Sequence, residues 1–271
     1  MKHPLVNIAI ATYKPQGIER LASKPLPRIA GISYVISWQA HENYPIPENL
    51  IRDDVEIFRF DKQGLSLNRN NAFDHCNAEW IVILDDDLTI RERGLKELTK
   101  ILATCEGIDV ITFRSITGSS KQYPTNNSIL KWPLPKGYYV TSVEIAFRKS
   151  TNLRCCPELG LNSPRMHGAE EEVMLLSAIK RGLKVKFVDT TIVEHMHPST
   201  GTKAEFTPEN LRASGCFIAM GWKWSAIPRI VLKAIRISRK KKAPFMRALW
   251  YMTQGAIESP GVYKRNREYL W

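Results

Sequence analysis

No apolar run in the 271-residue chain approaches the roughly 18–20 residues that a membrane-crossing helix needs. The longest, such as Trp80–Leu84, have the length of a strand. The opening M-K-H-P-L-V-N-I-A-I-A has no apolar core of the kind a signal peptide carries, which predicts a cytoplasmic protein. Cysteine is scarce and odd in number (Cys76, Cys105, Cys155, Cys156, Cys216), and no C-x-x-C pair occurs. Neither a disulfide framework nor a zinc site is therefore suggested, and Cys155-Cys156 reads as two small buried residues. Glycine and proline, 15 and 16 in number, are too few for a collagen-like or low-complexity chain, and a hydrophobic fraction of 44% excludes disorder throughout. Acids are nearly missing from the last quarter. Residues 201–271 hold 14 Lys and Arg against four Asp and Glu, so most of the net charge of +12 belongs to the tail.

The first 115 residues alternate strand-like and helix-like segments. Strands are predicted at Val6–Ala11, Ile32–Ser37, Val55–Phe60, Trp80–Leu84 and Val110–Phe113. Helices are predicted at Gly17–Ser23, at Leu65–Cys76 with Ser66 as N-cap, and at Arg91–Leu102, where Leu95, Leu98 and Leu102 repeat at helical spacing. Repeated strand–helix–strand units imply a mostly parallel central sheet with helices on both faces, binding its ligand at the carboxyl ends of the strands. From 116 to 165 prolines interrupt the pattern around one strand at Ser142–Arg148. Glu170–Arg181 is a helix stopped by Gly182, followed by strands at Lys184–Val188 and Thr191–Glu194. The division expected is a core of 1–200, with halves of about 1–115 and 116–200, and a basic helical extension over 201–271.

The sharpest chemical feature is W-I-V-I-L-D-D-D, a buried strand running into Asp85, Asp86 and Asp87. Three adjacent carboxylates repel one another and call for a cation. Mg²⁺ or Mn²⁺ suits oxygen donors and completes its shell with water and phosphates. The alternative is a capping cluster, with Asp87 or Thr89 opening the helix that follows. Glu170-Glu171-Glu172 open a helix too, where acids favour the dipole whatever else they do. His195 and His197, two apart in a strand, point to one side.

Four blocks in order resemble inverting glycosyltransferase family 2: V-N-I-A-I-A-T-Y (6–13), G-L-S-L-N-R-N-N-A-F (64–73), W-I-V-I-L-D-D-D (80–87) and H-G-A-E-E-E-V-M-L-L-S-A-I-K-R-G (167–182). The resemblance covers about residues 4–200 and implies the α/β GT-A fold of nucleotide-diphospho-sugar transferases. It also implies roles. Thr12 and Tyr13 lie where the family binds the base, and Gln39 where many members place a base-contacting acid. Ser66 and Arg69 fall where the nucleotide or its diphosphate is contacted. Asp85 would face the ribose or the metal, Asp86 would belong to the nucleotide-sugar site, and Asp87 would ligate Mn²⁺ or Mg²⁺, with His195 as a further ligand. Glu171 stands where the family has its general-base Asp, one methylene longer, with Glu170 beside it.

In the extension, Ser225–Ile237 sets Ile227, Ile230, Val231, Ala234 and Ile235 on one helical face, with Arg229, Lys233, Arg236 and Lys240 mainly on the other. Arg239-Lys-Lys-Lys242 and Trp250 follow. Such a helix fits an anionic membrane interface over 225–250, and no nucleic-acid-reading motif accompanies the charge. The expected activity is transfer of a sugar, from UDP most of all, to a glycan or lipid-linked acceptor in bacterial surface-polysaccharide synthesis, on the inner face of the cytoplasmic membrane. A sugar nucleotidyltransferase is the rival enzyme, but A-T-Y-K-P-Q-G supplies no Gly-rich, Arg-containing loop. A non-catalytic nucleotide-sugar-binding membrane scaffold is the rival of another class.

Overall fold

The computed structural model describes residues 4–117, 121–125, 127–195 and 206–271. Nine strands form one sheet: β1 (Val6–Tyr13), β2 (Ile32–Gln39), β3 (Val55–Phe60), β4 (Trp80–Asp85), β5 (Thr89–Ile90), β6 (Val110–Thr117), β7 (Ile129–Leu130), β8 (Ile145–Arg148) and β9 (Val185–His195). Their order is β3-β2-β1-β4-β8-β6-β9-β5, with β7 paired to β9. Pairing is parallel through β3-β2-β1-β4 and between β6 and β9, and antiparallel where β8, β5 and β7 join. From β1 to β3 the chain steps outward along one edge, then returns to lay β4 on the other side of β1. Strand order thus reverses between β1 and β4, the kind of crevice where open α/β sheets bind ligands.

β1 and β4 are apolar along nearly their whole length because both faces of this part of the sheet are covered. Helix α1 (Lys14–Ala22) buries Ile18 and Leu21, α2 (Leu65–His75) follows β3, and α3 (Glu92–Thr104) buries Leu95, Leu98 and Leu102 as its periodicity predicts. Gly94 lets α3 lie on β9, since a Cβ there would sit 2.0 Å from the Thr191 carbonyl oxygen. Helix α4 (Glu170–Lys180) precedes β9, which is one bulged strand rather than the two segments expected. The predicted strand at Ser142–Arg148 begins as a 3₁₀ turn, Ser142–Glu144, before β8. Thr89 and Ile90 pair with β9, and α3 starts after Arg91 with no side-chain cap, so the carboxylate triplet does not cap that helix.

Contacts divide the chain into two compact units, 1–63 with 67–154 and 178–197, and 64–66 with 155–177 and 198–271. The second contains α5 (Pro208–Trp222), α6 (Ala226–Arg239) and α7 (Phe245–Arg265). Thr207 caps α5 by accepting from the Asn210 amide at 3.4 Å, and Pro208 stands in its first turn, where no amide is needed. Leu211, Ile218, Ile230, Ala234, Ile237, Ala248 and Met252 form the helical core. Helices α5 and α7 cross backbone to backbone. A Cβ on Gly215 would lie 1.9 Å from the Met252 carbonyl oxygen, and one on Gly255 1.9 Å from that of Arg212.

The stripe expected to meet lipid is therefore largely spent inside the protein. Ile230 and Ala234 are buried, Val231 and Ile235 half-buried, and only Ile227 stands exposed, at 58%. A different set is open: Trp224 at 99%, Met246 at 69% and Trp250 at 62%. Among the described residues no helix is long and apolar enough to cross a membrane. All five cysteines are free, and burial pushes the Cys76 and Cys156 thiols up to about 12, which makes both unreactive.

Candidate active site

Register brings Thr12, Tyr13, Gln39 and Asp85 to one edge of the first unit. Tyr13 lies opposite Gln39, and Asp85 opposite Ala11, at the carboxyl ends of β1, β2 and β4. The backbone is strained there. Lys14, Ala40, Glu42 and Asn43 all take positive φ, between 49° and 63°, a region costly for side chains other than glycine. Tyr13 is exposed with the Lys14 ammonium 5.3 Å from its ring, whereas Gln39 is buried and donates to the Lys62 carbonyl.

The three aspartates separate by direction. Asp86 turns inward, where its carboxylate accepts from the Thr12 hydroxyl at 2.6 Å and from Arg20 at 3.1 and 2.5 Å. Burial lifts its carboxyl above the usual range, and Thr12 and Arg20 pull the other way. Gly17 permits this clamp, since a Cβ there would lie 2.4 Å from Thr12 Oγ1 and 2.8 Å from Asp86 Oδ2. The side chains of Thr12 and Asp86 thus satisfy each other. Asp85 and Asp87 remain half-buried at the strand end. The Asp87 carbonyl accepts from Lys24, whose ammonium burial pushes down and Asp87 partly restores.

Arg69, on α2 and 3% exposed, donates from Nη2 to Asp85 Oδ1 and to Ser142 Oγ, both at 2.8 Å. On the same helix, Asn68 donates to the Thr12 carbonyl at 2.9 Å and Asn71 to Ser37 Oγ at 2.8 Å. The run N-R-N-N is thus a polar clamp across the ends of β1, β2 and β4. Sequence reasoning missed Arg20, Lys24, Asn68 and Ser142. Four consecutive polar residues, Asn68 to Asn71, within a predicted helix were the available sign for Asn68, while nothing local marks Ser142.

Within the second unit, Ser66 does not cap α2, which begins at Leu65. Its buried hydroxyl donates to the Leu159 carbonyl at 2.6 Å. Ser66 and Glu170 meet around Gly160 (φ +98°), where a Cβ would lie 2.8 Å from Ser66 Oγ and 3.4 Å from Glu170 Oε2. Glu170 is 5% exposed, and Glu171 is the more open of the two. Ala169, directly before them, is held at φ +64°. The His195 side chain and all of His197 lie outside the described residues, and among those described no three His, Cys, Asp or Glu cluster as a metal centre.

A sheet that reverses at β1/β4, with two carboxylates at the reversal and a buried arginine behind them, belongs to the class of GT-A nucleotide-sugar transferases. Residues 38–169, just under half of the chain, match the family described as glycosyl transferase family 2. The fold is similar to that of Staphylococcus aureus TarS 1–349, with a TM-score of 0.57 at 12% identity over 94% of this chain and 91% of that one. The same protein in complex with UDP gives 0.59 at 14% over 97% and 88%. In complex with UDP-GlcNAc it gives 0.56 at 11% over 94% and 91%. No curated protein matches the sequence.

Proposed function

We propose that the chain is a metal-dependent inverting glycosyltransferase that moves a sugar from a UDP-sugar to a hydroxyl of a glycan or lipid-linked acceptor, in surface-polysaccharide synthesis. The observation that carries the reading is the split triplet. With Asp86 tied down by Thr12 and Arg20, Asp85 and Asp87 offer two hard oxygen donors at the strand reversal. That donor set fits Mg²⁺ or Mn²⁺, which take one or two carboxylates and otherwise water and phosphate. Asp85 and Asp87 would hold the ion, which supplies charge neutralisation for a departing diphosphate. The complexes of TarS with UDP and UDP-GlcNAc support uridine as the donor base.

The residues do the rest. Tyr13, exposed at the end of β1, gives the base a surface to stack on. Arg69 steadies Asp85 so that its charge is directed before the donor arrives. Glu171 takes the proton of the acceptor hydroxyl as that oxygen attacks the anomeric carbon from the face opposite the nucleotide. The greater exposure of Glu171 over Glu170 supports this assignment. The tail would dock on an anionic membrane surface, on the cytoplasmic side. Its charge supports this, and so do the open Trp224, Ile227, Met246 and Trp250.

Titration calorimetry with UDP tests the donor half: affinity should depend on Mn²⁺ in the wild type and lose that dependence in Asp87→Ala. Glu171→Gln keeps shape but accepts no proton, so transfer should fall about 10²–10⁴-fold while UDP affinity stays. Equal UDP affinity with and without Mn²⁺ in the wild type overturns the metal reading. Loss of transfer in Glu170→Gln alone moves the base by one residue.

A further inference from the structure

One buried charge pair in the first unit lies outside the roles given above. Glu144 is 0% exposed and the Lys121 side chain 2%, and the two form an ion pair. The glutamate accepts four ways. Oε1 receives the Tyr123 hydroxyl at 2.6 Å and the Ser115 hydroxyl at 2.7 Å, while Oε2 receives the Thr141 amide at 3.2 Å and the ammonium. The Lys121 nitrogen lies 5.0, 5.2 and 4.6 Å from the ring centroids of Tyr123, Tyr138 and Tyr139. Burial raises the Tyr123 and Tyr138 phenols well above their usual range, so both stay neutral. A buried ion pair is a poor source of stability compared with apolar packing, and its best-attested use is to fix one arrangement among several.

What it fixes is one helical turn away. Glu144 closes the 3₁₀ turn Ser142–Glu144, its amide donating to the Thr141 carbonyl at 3.0 Å. Ser142 opens that turn, is buried, and faces the donor side. It accepts from Arg69 Nη2 at 2.8 Å and reaches Asp85 Oδ2 at 3.5 Å, while the same Arg69 nitrogen holds Asp85 Oδ1. One turn therefore has its two ends anchored differently, one in a sealed tyrosine cage and the other on a carboxylate at the strand reversal.

We infer that Glu144, paired with Lys121, is a positioning residue for donor binding: through Ser142 it sets the direction of the Arg69–Asp85 pair. The inference rests on the donor reading given above. It predicts that the cage and Ser142 act by a single route. Ser142→Ala removes the hydroxyl and leaves the cage intact. Lys121→Met with Glu144→Gln removes both buried charges together, which avoids stranding either one.

Each change should weaken Mn²⁺-dependent UDP binding about tenfold, the size expected for losing one hydrogen bond to a charged group. The triple variant should be no worse than the more affected parent, because coupled positions do not add. In transfer assays the loss should fall on the KM for the donor, with the KM for the acceptor unchanged. Calorimetric titration of UDP into each variant, with unfolding curves to establish the folded fraction, decides the matter. Folded Ser142→Ala with wild-type UDP affinity overturns the inference, as does a triple variant whose losses multiply. Wild-type protein that binds no UDP overturns the donor reading, and the inference with it.

Discussion

Asp86 shows what a motif conceals at the scale of a residue. Read as letters, three aspartates are equivalent. In the folded chain the turn that follows β4 gives the middle one to Thr12 and Arg20 and leaves its neighbours half-buried. Thr12→Val should expose the importance of that clamp by leaving a buried carboxylate short of a donor. We expect a loss of about 1–3 kcal/mol at neutral pH, read from denaturant unfolding. The sign of its pH dependence follows from the direction of the shift. The Asp86 carboxyl is raised in the folded state, so its stabilising contribution is present in acid and lost as pH rises through the folded value. Thr12 moderates that rise, so the deficit of Thr12→Val should shrink as the pH is lowered. A deficit that grows in acid contradicts the assignment. The residues at strand ends were legible because a carboxylate or arginine there breaks an apolar run. Ser142 and Arg20 were not, because their partners lie 57 and 66 positions away along the chain.

Elements were legible where periodicity is strong. The leucines of α3, the apolar runs of β1 and β4 and the alternation of β3 marked their positions directly; β3 kept its expected bounds and the others shifted by a residue or two at an end. Ser66 misled because a serine near a helix start suits a cap on local grounds, and only the fold brings the Leu159 carbonyl to it. The crossing of α5 on α7 is likewise invisible in composition, since glycine inside a helix reads as a local weakness. Here it is the contact itself. Gly255→Ala would improve helix propensity by about 1 kcal/mol, yet its methyl would meet the Arg212 carbonyl at 1.9 Å. The clash should win and lower stability by about 1–3 kcal/mol. A thermal midpoint at or above that of the wild type shows that the helices part without penalty.

For the whole molecule, the order of strands and helices announced an α/β sheet, and the charge count set the tail apart. That residues 155–177 pack with the helices after 198 depends on long-range contacts that composition does not encode. If the tail docks on anionic lipid, two forces hold it. Changing Arg239, Lys240, Lys241 and Lys242 to Gln removes about 1 kcal/mol for each charge near the surface. Co-sedimentation with phosphatidylglycerol vesicles should therefore weaken strongly at low salt and less at high salt. Trp224→Ala with Trp250→Ala should weaken it at both. Wild-type protein that stays in the supernatant at low salt rules docking out. The left-handed residues Lys14, Ala40, Glu42 and Asn43, beyond the ends of β1 and β2, and Ala169, just before α4, carry a consequence for any attempt to harden this protein. Each is a place where a glycine relieves strain, so selection for heat tolerance alone would find its easiest gains around the residues proposed to meet donor and acceptor. Variants chosen that way should tend to trade turnover for endurance.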